Sequence, residues 1–487
     1  MSILAIDQGT TSTRALQLCA SGDAHLLLAK THQQFYPQSG WVEHDPMQLI
    51  DNLRHCIEAG SDVDVIAIAN QGESCLAWHS ETKEPVCPVL VWQDNRTYEQ
   101  IEKLKASPAK AIIEQKTGLP LDSYFSASKL AWIVNHVPQA KTLLGQGKLR
   151  LGTTDAFFLD TLCDRFVTDI TTASRTSLMD LQTSQWDSQL CELFGVPISA
   201  LPKIVPSSGD FGAVHSQGRH IPVIASMVDQ QASLYGHNCK AAGDAKVTFG
   251  TGAFAMCITG TDFHHAPEKG LLPTVAWQNM NEQPVYALDG GVHCASSAIN
   301  WARQLGLFKE FEQINHFDKP PAIARNLAFV PALMGLACPH WDRSAAGLWL
   351  GLSLDTQPLD MVQAVIEGVA MRAAQVLHAM SDFTSLTKRL SIDGGMSRNP
   401  YFCQFLANIM QCEVQVPANE EVTALGLGLF ASDYLMKTNH LAVRIPDASL
   451  HNAHVFSPDK DASSCFVQYL EKFSEAVNRS KYWPAKI

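Results

Sequence analysis

Short apolar runs recur along the chain, and most of them end in a polar or acidic residue. Ile3-Leu4-Ala5-Ile6 ends at Asp7, Val63 to Ala69 at Asn70-Gln71, and Val89 to Trp92 at Gln93-Asp94. Ile221 to Ala225 precedes Asp229-Gln230-Gln231, Leu390-Ser391-Ile392 runs into Asp393-Gly394-Gly395, and Glu413 to Val416 stops at Pro417. Runs this short, bounded by turn residues, predict strands. Helical spacing lies between them. Leu130, Ile133, Val134 and Val137 share one face of a segment stopped by Pro138, and Met361 to Met380 has the alanine content of a long buried helix. Asn399-Pro400 opens another helix, with the proline in its first turn. Strands alternating with helices predict an α/β fold, in which ligands sit beyond the carboxyl ends of the strands.

Two of these strands turn back through unusual tips. Asp7-Gln8-Gly9-Thr10-Thr11-Ser12-Thr13-Arg14 leads into Ala15 to Leu18, and half a chain later Lys246 to Phe249 passes through Gly250-Thr251-Gly252 into Ala253 to Cys257. A tip rich in glycine and small hydroxyls presents backbone N–H groups to an anion, and Asp7 stands where a phosphate-bound Mg²⁺ would sit. The repeat of the device predicts two related halves facing one nucleotide. We place the halves at residues 1–238 and 239–450, with a polar tail over 451–487 that has helical character from Phe466 to Val477.

Composition narrows the classes. A chain of 487 residues exceeds one ordinary core, and 46% hydrophobic against 17% charged residues excludes disorder. A formal charge of −12 excludes a general nucleic-acid binder. No apolar stretch is long enough for a membrane span, so no membrane partner is expected. Thirteen cysteines without a C-x-x-C pair and a start that runs straight into a strand are expected of a cytoplasmic protein. The histidines show no zinc spacing, Ser207-Ser208-Gly209 lacks the flanks of a nucleophile elbow, and there is no P-loop.

Transfer of a phosphoryl group to a hydroxyl needs a held triphosphate, a base and groups that orient the acceptor. Asp7 is assigned to the metal and Asp229 to the base, although an aspartate there also serves as a helix cap. Trp92, Tyr124 and Phe254 are candidate walls for a polyol.

Taken together these segments resemble the FGGY carbohydrate kinases, and among them the glycerol kinases. The resemblance runs from Ile6 to Ser432 and includes Asp7 to Arg14, Gly40 to Pro46, Tyr124 to Trp132, Thr168 to Thr176, Asp229 to Gln231, Gly250 to Gly252, Gly347 to Glu367, Asp393 to Gly395 and Thr423 to Gly426. It implies two actin-like (ribonuclease H-like) domains flanking a cleft that takes ATP, Mg²⁺ and a small polyol or sugar, glycerol by default, and family habit implies a homodimer or homotetramer. By position, Asp229 resembles the base, and Glu73, Tyr124, Asp229 and Gln230 resemble groups that grip substrate hydroxyls, with Trp92 and Phe254 as walls. Thr10, Thr11, Arg14, Thr251, Ser296, Asn300, Gly395 and Asn399 fall at nucleotide positions, and Asp7 at the metal position. Three departures stand out. Asn70-Gln71-Gly72-Glu73-Ser74 replaces the usual Asn-Gln-Arg-Glu-Thr, removing a charge-assisted donor worth about 1.5–3 kcal/mol. Gly72 is therefore expected to open space for a larger substrate such as a tetritol or ketopentose. Ser296 and Asn300 replace a glycine and a glutamine. The loop from Asp210 to Ile221 is shorter than the family's effector loop. A non-catalytic ATPase of the actin or Hsp70 type would share the hairpins but has no use for Glu73, Tyr124 and Gln230.

Overall fold

A computed structural model of the chain describes residues 1–60, 62–438, 440, 453–459 and 463–481. The end of the expected second half, 441–450, and His451 and Asn452 at the start of the expected tail lie outside the described residues.

The first sheet contains β1 (Ser2–Gln8), β2 (Ser12–Cys19), β3 (Ala24–Thr31), β4 (Val65–Asn70), β5 (Ala213–Ser216) and β6 (Arg219–Val228), in the order β5-β6-β4-β1-β2-β3. β1 runs antiparallel to β2 and parallel to β4, which runs parallel to β6. Gln8 pairs with Asn70 and Asn70 with Val228. The last residues of three strands therefore stand side by side, and the segments that follow them share one sheet edge. Nearly every residue of β1 and β4 is buried, as expected of strands covered on both faces.

The second sheet contains β7 (Ala245–Phe249), β8 (Ala253–Gly260), β9 (Leu272–Trp277), β10 (Val285–Val292), β11 (Arg389–Gly394), β12 (Glu413–Val416) and β13 (His454–Phe456), in the order β9-β10-β8-β7-β11-β12-β13. Its centre repeats that of the first: β7 is antiparallel to β8 and parallel to β11, with Phe249 beside Gly394. The second glycine–threonine tip and the Asp393-Gly394-Gly395 turn thus emerge together.

Helices α1 (Asp229–Gly236) and α3 (Val422–Lys437) join the halves, while α2 (Pro358–Ser381) is buried over most of its length in the second core. α1 and α3 approach backbone to backbone. A Cβ on Gly236 would lie 2.2 Å from the Val422 carbonyl oxygen, and one on Gly426 2.0 Å from that of Ala232, so only glycine fits either position. One hydrophobic cluster spans both sheets here, with Ala5, Leu18 and Met227 from one and Met256, Ile258 and Phe430 from the other half.

Three features depart from the sequence reading. A five-stranded sheet of Gln34–Phe35, Glu43–His44, Val89–Leu90, Cys75–His79 and Leu149–Thr153 forms a third layer, with the helices between Tyr98 and Gly145. It carries its own core. The helix expected from Lys129 begins earlier, at Ser126, and Pro138 starts a second one. The expected tail is part of the second half: β13 pairs with β12, and helix α4 (Ser463–Ser480) buries Phe466, Phe473, Ala476 and Val477 in its core.

Candidate active site

The strand ends of the first sheet meet β8 and β10 of the second around a cavity of about 120 Å³. All six residues expected to touch substrate line it: Glu73, Trp92, Tyr124, Asp229, Gln230 and Phe254. Trp92 and Tyr124 meet edge to face with ring centroids 5.7 Å apart. The Trp92 indole N–H donates to Thr10 Oγ at 3.0 Å, so Thr10, expected at the nucleotide, also fixes a cavity wall. Ser74 holds the base of this wall, accepting the Trp92 backbone N–H at 3.1 Å and donating to Gln71 Oε1 at 3.2 Å.

Asp229 is the first residue of α1, immediately beyond β6. Its Oδ1 accepts the Gln230 N–H at 2.7 Å, a bond to its neighbour that leaves the second oxygen for the cavity. Burial, reinforced by the charges of Asp7 and Glu73, pushes the Asp229 carboxyl up to about 7. A carboxylate so poised accepts a proton near neutral pH. Of the cap role weighed for Asp229 the side chain keeps only this one bond, since Asp229 is the first helical residue and Val228 holds the N-cap position.

Gln230 is held from the other half. The Lys246 Nζ, fully buried, donates to Gln230 Oε1 at 2.7 Å and to Thr248 Oγ at 3.0 Å. Burial pulls the lysine below its ordinary value against the field of Asp393, Asp229 and Asp289. Glu73 has a backbone φ of +58°, a conformation non-glycine residues adopt rarely and mostly where surroundings impose it. Ser126 Oγ donates to the Glu73 carbonyl at 2.9 Å, and Arg175 Nε to Glu73 Oε1 at 2.6 Å.

Gly72 lines the cavity, as its expected opening requires, but Val228 crowds it: a Cβ at Gly72 would stand 3.1 Å from Val228 Cγ1, a contact the valine could meet only by yielding a few tenths of an ångström. Arg175, Val228 and Asp289 also line the cavity and were missed as site residues. Asp289 carried a signal, because Asp289-Gly290-Gly291 repeats the tripeptide at 393–395. Arg175 and Val228 carried none beyond their neighbourhood.

Two larger hollows lie mainly on the second half. One of about 920 Å³ is lined by Arg14, Thr248, Asp393, Gly394 and Gly395, and one of about 500 Å³ by Ser296, Asn300, Gly395 and Asn399. Gly395 is common to both. Arg14 crosses between the halves, its Nη1 2.9 Å from both Glu421 carboxylate oxygens. Asn399 is held as a helix cap, its side chain accepting the Phe402 N–H at 2.8 Å and donating to the Ile314 carbonyl at 2.9 Å, with one N–H and one oxygen lone pair remaining. Thr11 and Thr251 are exposed at their tips and lie outside the walls of these three cavities.

Asp7 fits a cation. Its Oδ1 is buried without a hydrogen-bond partner, and burial pushes the carboxyl up to about 7 although Arg14 opposes the shift. A positive charge beside it would relieve both. No cluster of three or more metal-binding side chains occurs among the described residues. A Mg²⁺ held by one carboxylate, phosphate oxygens and water needs no such cluster.

Known proteins match this arrangement end to end. Residues 2–236 match the model for the N-terminal domain of the FGGY family of carbohydrate kinases, and residues 245–432 the model for its C-terminal domain. The chain is 34% identical over 509 residues to a glycerol kinase of Haloarcula marismortui, covering 98% of each. It is 36% identical over 501 residues to one from Francisella philomiragia, covering 99% of each. The crystal structure of Plasmodium falciparum glycerol kinase with ADP superposes with a TM-score of 0.90 at 28% identity, covering 98% of both chains. The chain belongs to the FGGY family of carbohydrate kinases, two actin-like domains around a cleft, and is a phosphotransferase to an alcohol group.

Proposed function

We propose that this kinase transfers the terminal phosphoryl group of ATP to a primary hydroxyl of a small neutral polyol, glycerol before others. The observation that carries the substrate class is the cavity itself. At about 120 Å³ it is well below the ~300–1,000 Å³ of sites for drug-sized ligands, and Val228 crowds it beside Gly72. Its polar wall is rich in acceptors, with Glu73, Asp229 and Asp289, which suits a compound whose only polar groups are hydroxyls and repels one bearing a carboxylate. The relatives named above carry the glycerol kinase name.

In the reaction, Trp92, Tyr124 and Phe254 hold the carbon chain while Glu73 and Gln230 orient its hydroxyls. Asp229 accepts the proton of the attacking hydroxyl. The oxygen forms its bond to the terminal phosphorus as the bridging bond to the ADP oxygen breaks. Thr10 and Thr11 at the first tip and Thr251 at the second face the phosphates, and Arg14 adds charge once released from Glu421. Ser296, Asn300, Gly395 and Asn399 receive the nucleoside in the hollows around Gly395. Asp7 would hold a Mg²⁺, which, when bound, neutralises phosphate charge. Closure of the halves excludes the water that would otherwise hydrolyse ATP. We place the reaction in the cytoplasm, where ATP is supplied.

The test is ADP release with identification of the phosphorylated product across glycerol, erythritol, a ketopentose and gluconate. Glycerol should give the highest kcat/KM and gluconate none. A preference for the ketopentose or gluconate would contradict the cavity argument, and ADP release without a phosphorylated acceptor would favour the non-catalytic ATPase.

A further inference from the structure

The donor that Gly72 lacks has a substitute in the cavity wall. Arg175 is 4% exposed and its guanidinium carries five N–H groups. Nε donates to Glu73 Oε1, Nη2 stands 3.3 Å from Asp289 Oδ2, the Tyr124 hydroxyl interacts with the guanidinium, and the buried Nη1 makes no hydrogen bond of regular geometry. A buried cationic donor left unmatched costs free energy that a ligand hydroxyl would recover. Arg175 lines the same cavity as Glu73 and Asp229. Asp289 lies on β10, so the guanidinium is set by both halves at once.

We propose that Arg175 is a substrate-binding residue whose guanidinium donates to a polyol hydroxyl that is not phosphorylated, in place of the donor absent at position 72. This rests on the polyol-kinase reading above. It assigns a role to a residue that an ion pair with Glu73 alone would explain only as structural.

The experiment measures kcat and KM for glycerol, 1,2-propanediol and 1,3-propanediol with wild type, Arg175→Gln and Arg175→Lys. Wild type should lose about 10- to 100-fold in kcat/KM on the diol that lacks the contacted hydroxyl. Arg175→Gln should lose a similar factor on glycerol, mainly in KM, and little more on that diol, because residue and hydroxyl are two ends of one contact. Arg175→Lys keeps a charge against Glu73 without the Nη1 nitrogen, and it carries the same comparison where the glutamine variant does not fold. Losses that simply multiply in the soluble variants, with no coupling to either hydroxyl, overturn the proposal while leaving the kinase reading intact. A wild-type protein that phosphorylates none of the three overturns that reading and this inference together.

Discussion

Replacing Asp229 by asparagine should damage turnover and stabilise the fold, and the second effect should depend on pH. The catalytic loss is that of a general base, about 10²- to 10⁴-fold in kcat, with ATP affinity unchanged because the nucleotide hollows are built by other residues. The stability gain follows from the raised carboxyl. A folded-state value of about 7 against an ordinary 3.8 is about three units, or of the order of 4 kcal/mol at ~1.36 kcal/mol per unit, and this is a ceiling because Asp7 and Asp229 share the repulsion. The sign runs against the fold. Between pH ~4 and ~7 the native state binds the proton more tightly than the unfolded chain, so stability is lost as pH rises through this window. The neutral asparagine escapes the loss. Its melting temperature should exceed wild type by several degrees at pH 8, and the gain should vanish towards pH 4. Calorimetry at both pH values, beside steady-state ADP release and ATP titration, checks all three effects. A variant of near wild-type rate, or a gain equal at both pH values, refutes the assignment of Asp229 as a strained and poised base.

Other perturbations follow from the same geometry. Asp7→Asn should cut kcat by about 10²–10³-fold and raise the Mg²⁺ concentration needed for half-maximal rate, which a Mg²⁺ titration reads; an unchanged requirement contradicts the metal position. Wild-type kcat/KM should fall about tenfold per unit as pH drops below ~7, following protonation of Asp229; a flat profile down to pH 5 removes the base. Lys246→Met should move that acid limb to higher pH, since the lysine charge lowers the Asp229 carboxyl, and should raise KM by freeing Gln230. Gly72→Arg should lose about 1–3 kcal/mol of stability to overpacking against Val228, measured by urea unfolding, and Val228→Ala in the same chain should restore part of it.

Much of this was legible from local pattern. The two glycine–threonine tips follow apolar runs that became β1 and β7, and Asp229 follows a run that became β6, so alternation and turn chemistry located the sheet edge. Convergence of six distant side chains on one cavity is not a local property, and there the family resemblance supplied the positions. What escaped both depends on tertiary contact. Gly72 on its own reads as vacated space, and only the fold shows that Val228 Cγ1 would stand 3.1 Å from a Cβ there and crowd it. Arg175 lies in a Ser/Thr-rich turn whose meaning comes from Glu73, distant in sequence, and from Asp289 on the other half. The terminal segment reads as polar because its apolar stripe is narrow, although Phe466, Phe473 and Val477 recur at helical spacing and pack into the second core.

The central claim is that a polyol hydroxyl, the Asp229 carboxylate and the terminal phosphate meet in the cleft. A crystal structure with glycerol and a non-hydrolysable ATP analogue tests it most directly. A primary hydroxyl within hydrogen-bond reach of Asp229 and in line with the terminal phosphorus is expected. Glycerol bound away from Asp229, or a triphosphate pointing out of the cleft, would contradict it.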